Sequence, residues 1–433
     1  MSNSIVRALW YTLFIAIGVI LIVIWLAHSG YLLIEGTGDV FVALGRLAGI
    51  ALGYAVLLEL LLVARVPALE RAFGFDRMNR FHRGAGIAIL YTIVAHLIFL
   101  VGGYAIRNDA NIVNQFVEFF ESWEDVSSAV WGAGLMLLAG VLSIKAVKKY
   151  LTYDLWYAVH LLMYIGAILA FGHTIQSGDF ASGGPLIFWL LLTGEVALVF
   201  VGYRIALPFV YDLMHKFKVE RVVQESPSTY SVYIGGKHME KFHFEAGQFA
   251  QFTFLRRGIM RHRPFSFSAP YDGKHIRITV KDFNGTVTSK IRTLVPGTRV
   301  IVDGPLGRFT LASAETEKCC LIGGGVGVTP ISSLARDAKA KGKDAVVLIS
   351  HRNPSDAPLL EEMRTTGVRT EVFFAEGQGG QKLSGELIEK ICPDIHERDV
   401  YICGPAPMMD ALTEGLVVRG ISRNRIHTER FSM

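Results

Sequence analysis

The first 210 residues contain six segments in which charged side chains are almost absent. They comprise residues 8–27, 40–63, 84–106, 126–144, 155–175 and 185–210. A hydrocarbon layer of about 30 Å needs about 20 consecutive apolar residues of helix to cross it. The first 210 residues carry 25 Asp, Glu, Lys and Arg side chains, whereas the remaining 223 carry 56. We therefore predict a six-helix membrane half followed by a globular half, which excludes intrinsic disorder, a secreted disulfide scaffold and a fully soluble enzyme.

The basic residues predict the orientation of the membrane half. They crowd the second connection, with Arg65, Arg71, Arg77, Arg80 and Arg83, and the fourth, with Lys145, Lys148 and Lys149. The opposite connections are mostly acidic. The positive-inside rule places these connections, both termini and the globular half in the cytoplasm of a multi-pass inner (plasma) membrane protein. The first apolar run lacks a small-residue cleavage site, so we expect a retained helix. The net charge of +5 is too small and too scattered to indicate nucleic acid.

All four cysteines lie in the globular half, without the spacing of a metal site: Cys319, Cys320, Cys392 and Cys403. We expect reduced thiols on the cytoplasmic side.

Histidine is rare inside membranes unless the imidazole has a partner or a cofactor. The third predicted helix carries His82 and His96, and the fifth carries His160 and His173. Separations of 14 and 13 residues place them about 20 Å apart along each helix, so they form an inner level (His82, His160) and an outer level (His96, His173). Two facing imidazoles are the axial ligands of a bis-histidine haem, and we predict two b-type haems. The alternative is that His82 and His173 only bind headgroups or loops near the interfaces.

The spacing in the fifth helix sets a geometric condition. At about 100° per residue, 14 residues return to nearly the same face, but 13 residues miss it by about 140°. We therefore expect the fifth helix to be distorted or to end near Gly166 or Gly172.

Three further charges lie within the predicted helices. Arg46 lies near the depth of His96, where a guanidinium can neutralise a haem propionate or hold an anionic acceptor or product. Pairing of Arg46 with a loop carboxylate is an equal alternative. For Glu59 and Glu195, proton movement is one interpretation, and a protonated, hydrogen-bonded structural role is favoured.

Short alternating runs after residue 218 predict a small antiparallel β-barrel. Within it stand His262-Arg263-Pro264-Phe265-Ser266 and, about twenty residues later, Asn284-Gly285-Thr286-Val287-Thr288 opening a helix. Arg263 offers a cation for a pyrophosphate, Phe265 a flat face for an isoalloxazine and Ser266 a hydroxyl near the flavin N5. The Gly285 turn offers backbone N–H groups. We predict that these residues bind FAD.

From Lys318 the pattern changes to alternating strands and helices. A short strand over residues 319–322 leads into Gly323-Gly324-Gly325-Val326-Gly327-Val328, and Thr329-Pro330 provide the N-cap and first-turn proline of a helix over 331–341. Such glycines let a pyrophosphate approach the positive end of the helix, although the spacing is not the Rossmann G-x-G-x-x-G. The second strand, residues 345–350, runs into Arg352, which favours NADPH over NADH. The alternative is that Arg352 is a solvated loop charge.

The next strand, residues 400–402, ends in Cys403-Gly404-Pro405, where a ligand would lie beyond the carboxyl end of the strand. Cys403 is either a small group beside the nicotinamide or a plain buried cysteine. Phe431, three residues from the C-terminus, can cover the flavin and be displaced by nicotinamide.

Together these residues resemble the ferric reductase and NADPH oxidase superfamily, and most closely its compact bacterial NADPH oxidase-like members. Residues 76–83 are similar to the start of the family's third helix, and the histidine spacings are those of its haem ligands. The resemblance implies that one haem joins the third and fifth helices at each level, which pairs His82 with His160 and His96 with His173. It also implies an arginine near the outer haem, in the position of Arg46.

The second half resembles ferredoxin-NADP reductase-type dehydrogenases. Residues 263–266 and 285–288 are similar to the FAD motifs, residues 323–330, Arg352 and 403–405 to the nucleotide motifs, and Phe431 to the terminal flavin-stacking aromatic. We expect three domains: a transmembrane di-haem domain over 1–212, an FAD domain over 213–314 and an α/β NAD(P)H domain over 315–433.

The chain departs from the family at two positions. Leu100 stands where the oxidases often have a further histidine, and Arg263 stands where mammalian oxidases have His. Calcium-binding loops, long tails and docking segments for regulators are not evident, so we expect no regulatory subunit and constitutive activity.

The resemblance implies a transmembrane NADPH oxidase, in which electrons pass from cytoplasmic NADPH through FAD and two haems to external O₂, making superoxide. Two alternatives stay open. One is a ferric-chelate reductase with the same electron path, and the other is an electron-donating subunit for an extracytoplasmic partner protein. The expected partners are therefore NADPH, O₂ or a ferric chelate, and the lipid bilayer.

Overall fold

The computed structural model describes residues 3–28, 34–256, 262–283, 287–376, 380 and 382–430, without the side chains of 3, 4, 76, 124, 154 and 287. The chain forms two compact units, Met1–Ile205 and Ala206–Met433. The first is helical and the second contains the β-sheets. The domain bounds expected at 212 and 314 stay a prediction.

The helices described in the first unit are α1 (Asn3–His28), α2 (Thr37–Val63), α3 (Pro67–Phe73), α4 (Phe75–Arg107), α5 (Ile112–Ser122), α6 (Glu124–Ser143), α7 (Lys145–Lys148), α8 (Tyr153–His160), α9 (Leu162–Gln176) and α10 (Gly183–Phe200). Among the described residues, six helical stretches are long and apolar enough to cross a bilayer: Ile5–His28, Thr37–Val63, Arg77–Arg107, Asp125–Ser143, Leu155–Gln176 and Gly183–His215. The prediction of six membrane-spanning helices is confirmed.

The fifth span consists of two helices, α8 and α9, that meet at Leu161. There the i→i−4 ladder gives way to a tighter turn, in which the Tyr164 N–H donates to the Leu161 carbonyl at 3.1 Å. The expected distortion near Gly166 or Gly172 is therefore wrong in position, since α9 runs unbroken through both glycines. Gly166 instead serves packing, because a Cβ at this position would lie 2.7 Å from the Gly132 carbonyl oxygen of α6. Because the two helices are separate, the angle between the His160 and His173 side chains differs from that in one continuous helix.

Close helix contacts in the first unit pair α2 with α4 and α6 with α9. A Cβ added to Gly49 of α2 would lie 2.6 Å from Cε1 of His96 on α4. A Cβ on Gly132 of α6 would lie 2.6 Å from the Gly166 carbonyl oxygen. Small residues permit such backbone approach in membrane helices, where dispersion contacts and hydrogen bonds drive association.

The second unit begins with α11 (Leu207–His215) and six antiparallel strands: β1 (Lys218–Ser226), β2 (Thr229–Gly235), β3 (Phe249–Phe254), β4 (Arg263–Ser266), β5 (Ile276–Lys281) and β6 (Val300–Leu306). They form two three-stranded sheets, β1-β2-β5 and β4-β3-β6. The expected antiparallel β-barrel is thus an open one, a pair of sheets linked by bridges at Lys218–Arg299 and Phe267–Ile278 and by backbone hydrogen bonds such as that from the Val300 N–H to the Phe217 carbonyl at 3.0 Å. A shared apolar core that includes Phe252 and Phe267 lies between the sheets.

A five-stranded parallel sheet follows, with the strand order β11-β10-β7-β8-β9. Its strands are β7 (Lys318–Gly324), β8 (Asp344–His351), β9 (Arg369–Phe374), β10 (Asp399–Cys403) and β11 (Ile426–Glu429), and its helices are α12 (Val328–Ala340), α13 (Leu360–Arg364), α14 (Gly385–Ile391) and α15 (Ala406–Val418). The central strands are apolar on both sides because separate cores cover the two faces. The predicted α/β class is confirmed.

Polar contacts join the antiparallel sheets to the parallel sheet. Asp356, which follows β8, accepts hydrogen bonds from Ser226, Ser228 and Lys281. Burial alone would raise the pKa of Asp356, but these hydrogen bonds outweigh it and lower the pKa to about 2. The carboxylate is therefore ionised and bound at neutral pH.

A second contact group lies around Glu362 of α13. Arg277 of β5 donates to Glu362 at 2.7 Å, and Arg336 of α12 pairs with the same carboxylate. Arg336 also donates to the Ser268 carbonyl oxygen at 2.7 Å, two residues beyond the end of β4. These contacts fix helix α12 relative to β4. The predicted nucleotide motif at the start of α12 and the predicted flavin motif on β4 therefore have fixed positions relative to each other within this unit.

The stability of the second unit should fall in mild acid because of His351. This side chain is 2% exposed at the end of β8, and burial lowers its pKa to about 4. An unfolded histidine takes up a proton near pH 6.5, so folding loses stability as the pH falls from about 6.5 towards 4. We expect a loss of about 2 kcal/mol between about pH 7 and about pH 5. Calorimetry of the full-length protein should show a smaller decrease for His351→Leu, whereas His238→Gln, at an exposed position, should behave as wild type.

Candidate cofactor sites

The four histidines of the first unit lie in two facing pairs. The ring centroids of His82 on α4 and His160 on α8 are 6.1 Å apart, and those of His96 on α4 and His173 on α9 are 6.3 Å apart. Two imidazoles that share one iron, each about 2 Å from it, place their centroids about 6 Å apart. The residues present therefore fit an iron porphyrin held between each pair.

Each of these imidazoles uses Nδ1 for a hydrogen bond to a neighbouring helix. The partners are Glu59 for His82, the Gly45 carbonyl at 2.7 Å for His96, the Ser143 hydroxyl at 3.1 Å for His160, and Asp125 at 3.2 Å for His173. A carbonyl can only accept, so Nδ1 of His96 carries the proton. Ser143 donates its own proton to the Ala139 carbonyl at 2.7 Å and so accepts from His160. These bonds leave Nε2 of each ring with a lone pair for a metal.

These four partners were missed by sequence reasoning. Glu59 was noted only as an intramembrane carboxylate, and Asp125 lies unnamed in one of the connections described as mostly acidic. Glu59 is 23 residues from His82 and Asp125 is 48 residues from His173, so no local spacing connects them. The available signal is the pairing of each ligand helix with the span before it in the chain.

Arg46 follows Gly45 on α2 and therefore lies beside the carbonyl that holds His96. Its Nη1 is 3.9 Å from Oδ1 of Asp179, a buried carboxylate in the connection after α9. The structure thus presents the loop-carboxylate alternative, which leaves the role of Arg46 towards a haem a prediction. Leu100, one turn beyond His96, packs against Gly45. A Cβ added to Gly45 would lie 2.7 Å from Cδ2 of Leu100.

The first predicted flavin motif forms strand β4 at the edge of its sheet. Ser266 is buried, and its hydroxyl oxygen has no hydrogen-bond partner among the residues that the structure describes. Arg263, Pro264 and Phe265 are half-buried, and the Phe265 ring lies 6.1 Å from the ring of Phe252. An unpartnered buried hydroxyl beside half-exposed planar and cationic groups fits a flavin.

His262, which precedes β4, hydrogen-bonds through Nδ1 to Thr253 and places Nε2 3.6 Å from Asp303. It is therefore bound to the sheet.

The second flavin motif is only partly described. Gly285, Thr286 and Phe431 lie outside the described residues, as does the side chain of Val287. The helix expected after Gly285 is a 3₁₀ helix, Val287–Thr293. The Thr288 hydroxyl accepts a hydrogen bond from the Phe283 N–H at 3.2 Å, which ties the two ends of this loop together.

The glycine loop continues β7 as a 3₁₀ turn, Gly325–Gly327, and enters α12 directly. The helix begins at Val328, three residues earlier than expected, because the turn already has helical geometry. Thr329 is therefore not the N-cap, and its hydroxyl donates to the Val326 carbonyl at 2.9 Å. Pro330 occupies the first turn, where no N–H is needed.

The two predicted nucleotide motifs are adjacent at the carboxyl edge of the parallel sheet. Gly323 of β7 pairs with Cys403 of β10, and a Cβ on Gly327 would lie 2.2 Å from the Cys403 carbonyl oxygen. A Cβ on Gly324 would lie 3.3 Å from Pro405. Glycine is thus required where the α12 N-terminus meets the end of β10, at the position where α/β sheets bind ligands.

Two of the predicted nucleotide residues have partners in the protein. The Cys403 thiol is fully buried and donates to the Glu429 carbonyl at 3.4 Å, and burial raises its pKa well above the usual range. The exposed Arg352 lies beyond β8, with Nε 3.4 Å from Glu376. Gly404, between the two motifs, is half-buried.

Comparisons with known families divide the chain in the same way. Residues 48–171 match the ferric reductase like transmembrane component, and residues 321–414 match the oxidoreductase NAD-binding domain. The first match contains His82, His96 and His160 and ends two residues before His173.

Curated relatives align with about half of the chain. The glycine betaine monooxygenase reductase subunit of Pseudomonas aeruginosa is 29% identical over 236 residues, which are 50% of this chain and 64% of that protein. Flavohemoprotein A of Dictyostelium discoideum is 26% identical over 285 residues, which are 58% of this chain and 71% of that protein. The chain thus spans less than two thirds of the length of the first of these relatives.

Among solved structures, the flavohem-like FAD/NAD binding domain of nitric oxide dioxygenase from Vibrio cholerae is similar over 50% of this chain and 98% of its own, with 22% identity and a TM-score of 0.44.

The fold and the family matches define the class of this protein: a membrane unit similar to the ferric reductase like transmembrane component, followed by a unit with an oxidoreductase NAD-binding domain. More particularly, the order of the two matches is similar to that of ferric reductase and NADPH oxidase-like fusions, in which a transmembrane component precedes a reductase unit.

Replacement of Gly327 by Ala should weaken nucleotide binding. The added Cβ would overlap the Cys403 carbonyl and push the α12 N-terminus away from β10, at a cost of about 1–3 kcal/mol. We expect the Kd for NADPH to rise roughly tenfold or more in calorimetric titration. Gly415→Ala is a matched control, because its Cβ would meet Gly385 only at 3.5 Å, an ordinary contact. Equal affinities for the Gly327→Ala variant and the control would contradict this assignment.

Proposed function

We propose that this protein is a transmembrane NADPH oxidase. Electrons pass from cytoplasmic NADPH through FAD and two b-type haems to O₂ on the other side of the membrane. One NADPH supplies two electrons, so two O₂ molecules become two superoxide ions while NADP⁺ and one proton are released. The observation that carries the proposal is the pair of facing imidazoles at each of two levels, each ring with Nδ1 committed to a hydrogen bond.

The ligand set proposed for the inner haem is His82 and His160, and that for the outer haem is His96 and His173. Both sets join α4 to the fifth span, so the two irons would lie one above the other between the same helices. At about 1.5 Å per residue, the 14 residues from His82 to His96 separate the levels by about 20 Å. Two stacked one-electron carriers at this separation would span most of the hydrocarbon layer.

The second unit supplies the groups for the donor side. When bound, the flavin accepts two electrons together as a hydride and releases them singly, which haems require. The half-buried Phe265 would pack against the isoalloxazine, the Ser266 hydroxyl would hydrogen-bond near N5, and Arg263 would neutralise the pyrophosphate. The first N–H groups of α12 would hold the nucleotide phosphates. Arg352, which follows β8, would bind the 2′-phosphate of NADPH.

The direction of electron flow follows from the proposed orientation. The basic connections around α3 and α7 would lie in the cytoplasm, together with both termini and the nucleotide site. The outer histidines, Arg46 and Asp179 would then lie on the opposite side, where the acceptor is reduced.

A ferric-chelate reductase is the second candidate, and the match of residues 48–171 to the ferric reductase like component favours it. It would use the same donors and the same haems. Only the acceptor distinguishes it from an oxidase, so the two candidates require a direct measurement.

Loss of an outer histidine should remove one haem and leave the other. His96→Leu or His173→Leu deletes one of two axial ligands, and we expect the pyridine haemochrome assay to fall from two haems per chain to one. NADPH-dependent reduction of flavin should persist, because the second unit is unchanged. His28→Leu is the matched control, since the exposed His28 hydrogen-bonds within α1 to the Ile24 carbonyl at 2.9 Å and belongs to neither facing pair. Retention of two haems by both outer variants would falsify the ligand assignment.

The identity of the acceptor should be decided with the purified protein and NADPH. We expect cytochrome c reduction that superoxide dismutase abolishes, at a rate exceeding anaerobic reduction of a ferric chelate. Turnover with the ferric chelate and none with O₂ would instead establish the reductase. Turnover with O₂ alone would also argue against a subunit that needs a partner protein.

A further inference from the structure

The hydrogen-bond partners of the four facing histidines follow a rule within each pair. One ring of the pair bonds to a carboxylate, Glu59 for His82 and Asp125 for His173. The other ring bonds to a neutral oxygen, the Ser143 hydroxyl for His160 and the Gly45 carbonyl for His96. Each level thus contains one carboxylate, although the two carboxylates come from different helices.

We propose that Glu59 and Asp125 are positioning residues that orient the haem ligands and lower the reduction potential of the haem at their own level. This inference rests on the proposed function, because it requires haems at both levels. Neither residue touches the haem iron, so each acts only through its histidine.

Glu59 is directed at His82 by its surroundings. It lies in the last turns of the membrane span on α2, four residues before Val63, where a carboxyl group is costly and needs a partner. Oε2 bonds to His82, whereas the buried Oε1 has no hydrogen-bond partner among the described residues. Gly86, one turn after His82 on α4, lies beside the carboxyl group, since a Cβ on Gly86 would be 3.8 Å from Oε1, an ordinary contact. The bond to His82 is therefore what offsets the cost of this carboxyl group within the span.

Asp125 is held more firmly. Its Oδ2 accepts hydrogen bonds from His173 Nδ1 and from the Ser177 hydroxyl. Ser177 lies one turn after His173, immediately beyond the end of α9. The Asp125 carboxylate on α6 therefore binds both His173 and the end of α9, the helix that carries His173. The His173 ring is therefore fixed in both rotation and position.

The effect on potential follows from charge. A carboxylate that accepts the Nδ1 proton makes the imidazole a stronger donor to iron and stabilises the more positive ferric state. A neutral hydroxyl or carbonyl has a smaller effect. One carboxylate per level would therefore lower both haem potentials, which suits one-electron transfer to a weak oxidant such as O₂.

Substitutions that keep the shape and remove the charge test the proposal in the full-length protein. Glu59→Gln and Asp125→Asn can still accept from Nδ1, so we expect two haems per chain. We expect the equilibrium constant for reduction of the affected haem to rise about tenfold, which corresponds to about 59 mV for one electron. Potentiometric titration of the reduced haem band measures the shift. The ferric low-spin electron paramagnetic resonance spectrum reports the ligand-ring orientation.

Glu195→Gln is the matched control. It removes a carboxyl group from another membrane span, α10, where the side chain is exposed and has no described hydrogen bond to a histidine. We expect unchanged potentials in this variant. The change in Glu59→Gln should persist in the His96→Leu background, in which only the inner haem remains, and this assigns the shift to its level.

The outcomes separate this inference from the proposed function. Wild-type protein without haem would refute the proposed function itself. Two haems in wild type, with potentials and resonance spectra unchanged in both Glu59→Gln and Asp125→Asn, would overturn the inference alone, as would an equal shift in Glu195→Gln. If a charge-neutral variant loses haem, Ser177→Ala provides the second test, because it keeps the Asp125 carboxylate and removes only its anchor. We expect this variant to keep two haems with an altered outer-haem spectrum, and an unaltered spectrum would contradict the role of Asp125.

Discussion

An imidazole has two nitrogens, and the membrane unit assigns a separate task to each. In all four facing histidines, Nδ1 bonds to an oxygen on the preceding span, which leaves Nε2 with a lone pair that could bind a metal. Helix α2 supplies both oxygens for α4, and α6 supplies both for the fifth span. Each ligand helix therefore depends on a supporting helix. The close glycine contacts between α2 and α4, and between α6 and α9, are what bring those oxygens within reach.

A related constraint shapes the second unit. The carboxyl ends of β7 and β10 are adjacent, and α12 begins so close to β10 that only glycine fits at position 327. The contact groups around Glu362 and Asp356 hold the antiparallel sheets against this region. In both units, backbone proximity that a larger side chain would prevent places the functional atoms.

The sequence was informative where a single segment carried the signal. Six apolar runs predict the spans, and β8 contains its predicted run of residues 345–350, because the length of an apolar run is a local property. The opening of the barrel into two sheets was not predicted and the N-cap role of Thr329 was wrong, since both depend on strand pairing and loop geometry that composition does not encode. The pairings of Glu59 with His82 and of Asp125 with His173 were missed, because a contact between helices leaves no periodic trace in the sequence. The residues proposed to bind cofactors remain predictions from motif chemistry.

The division of the fifth span at Leu161 has a consequence for the spacing of its two histidines. In one continuous helix, the distance between two side chains and the angle between them are locked together, since every residue adds both rise and rotation. A join between two short helices uncouples these quantities. The span can therefore present His160 and His173 to the same neighbour with a 13-residue separation, and its inner and outer parts can be adjusted independently of each other. Helix α4, which contains the third span, is unbroken over 33 residues and lacks this freedom. Its two histidines therefore set the separation that the histidines of the fifth span have to match.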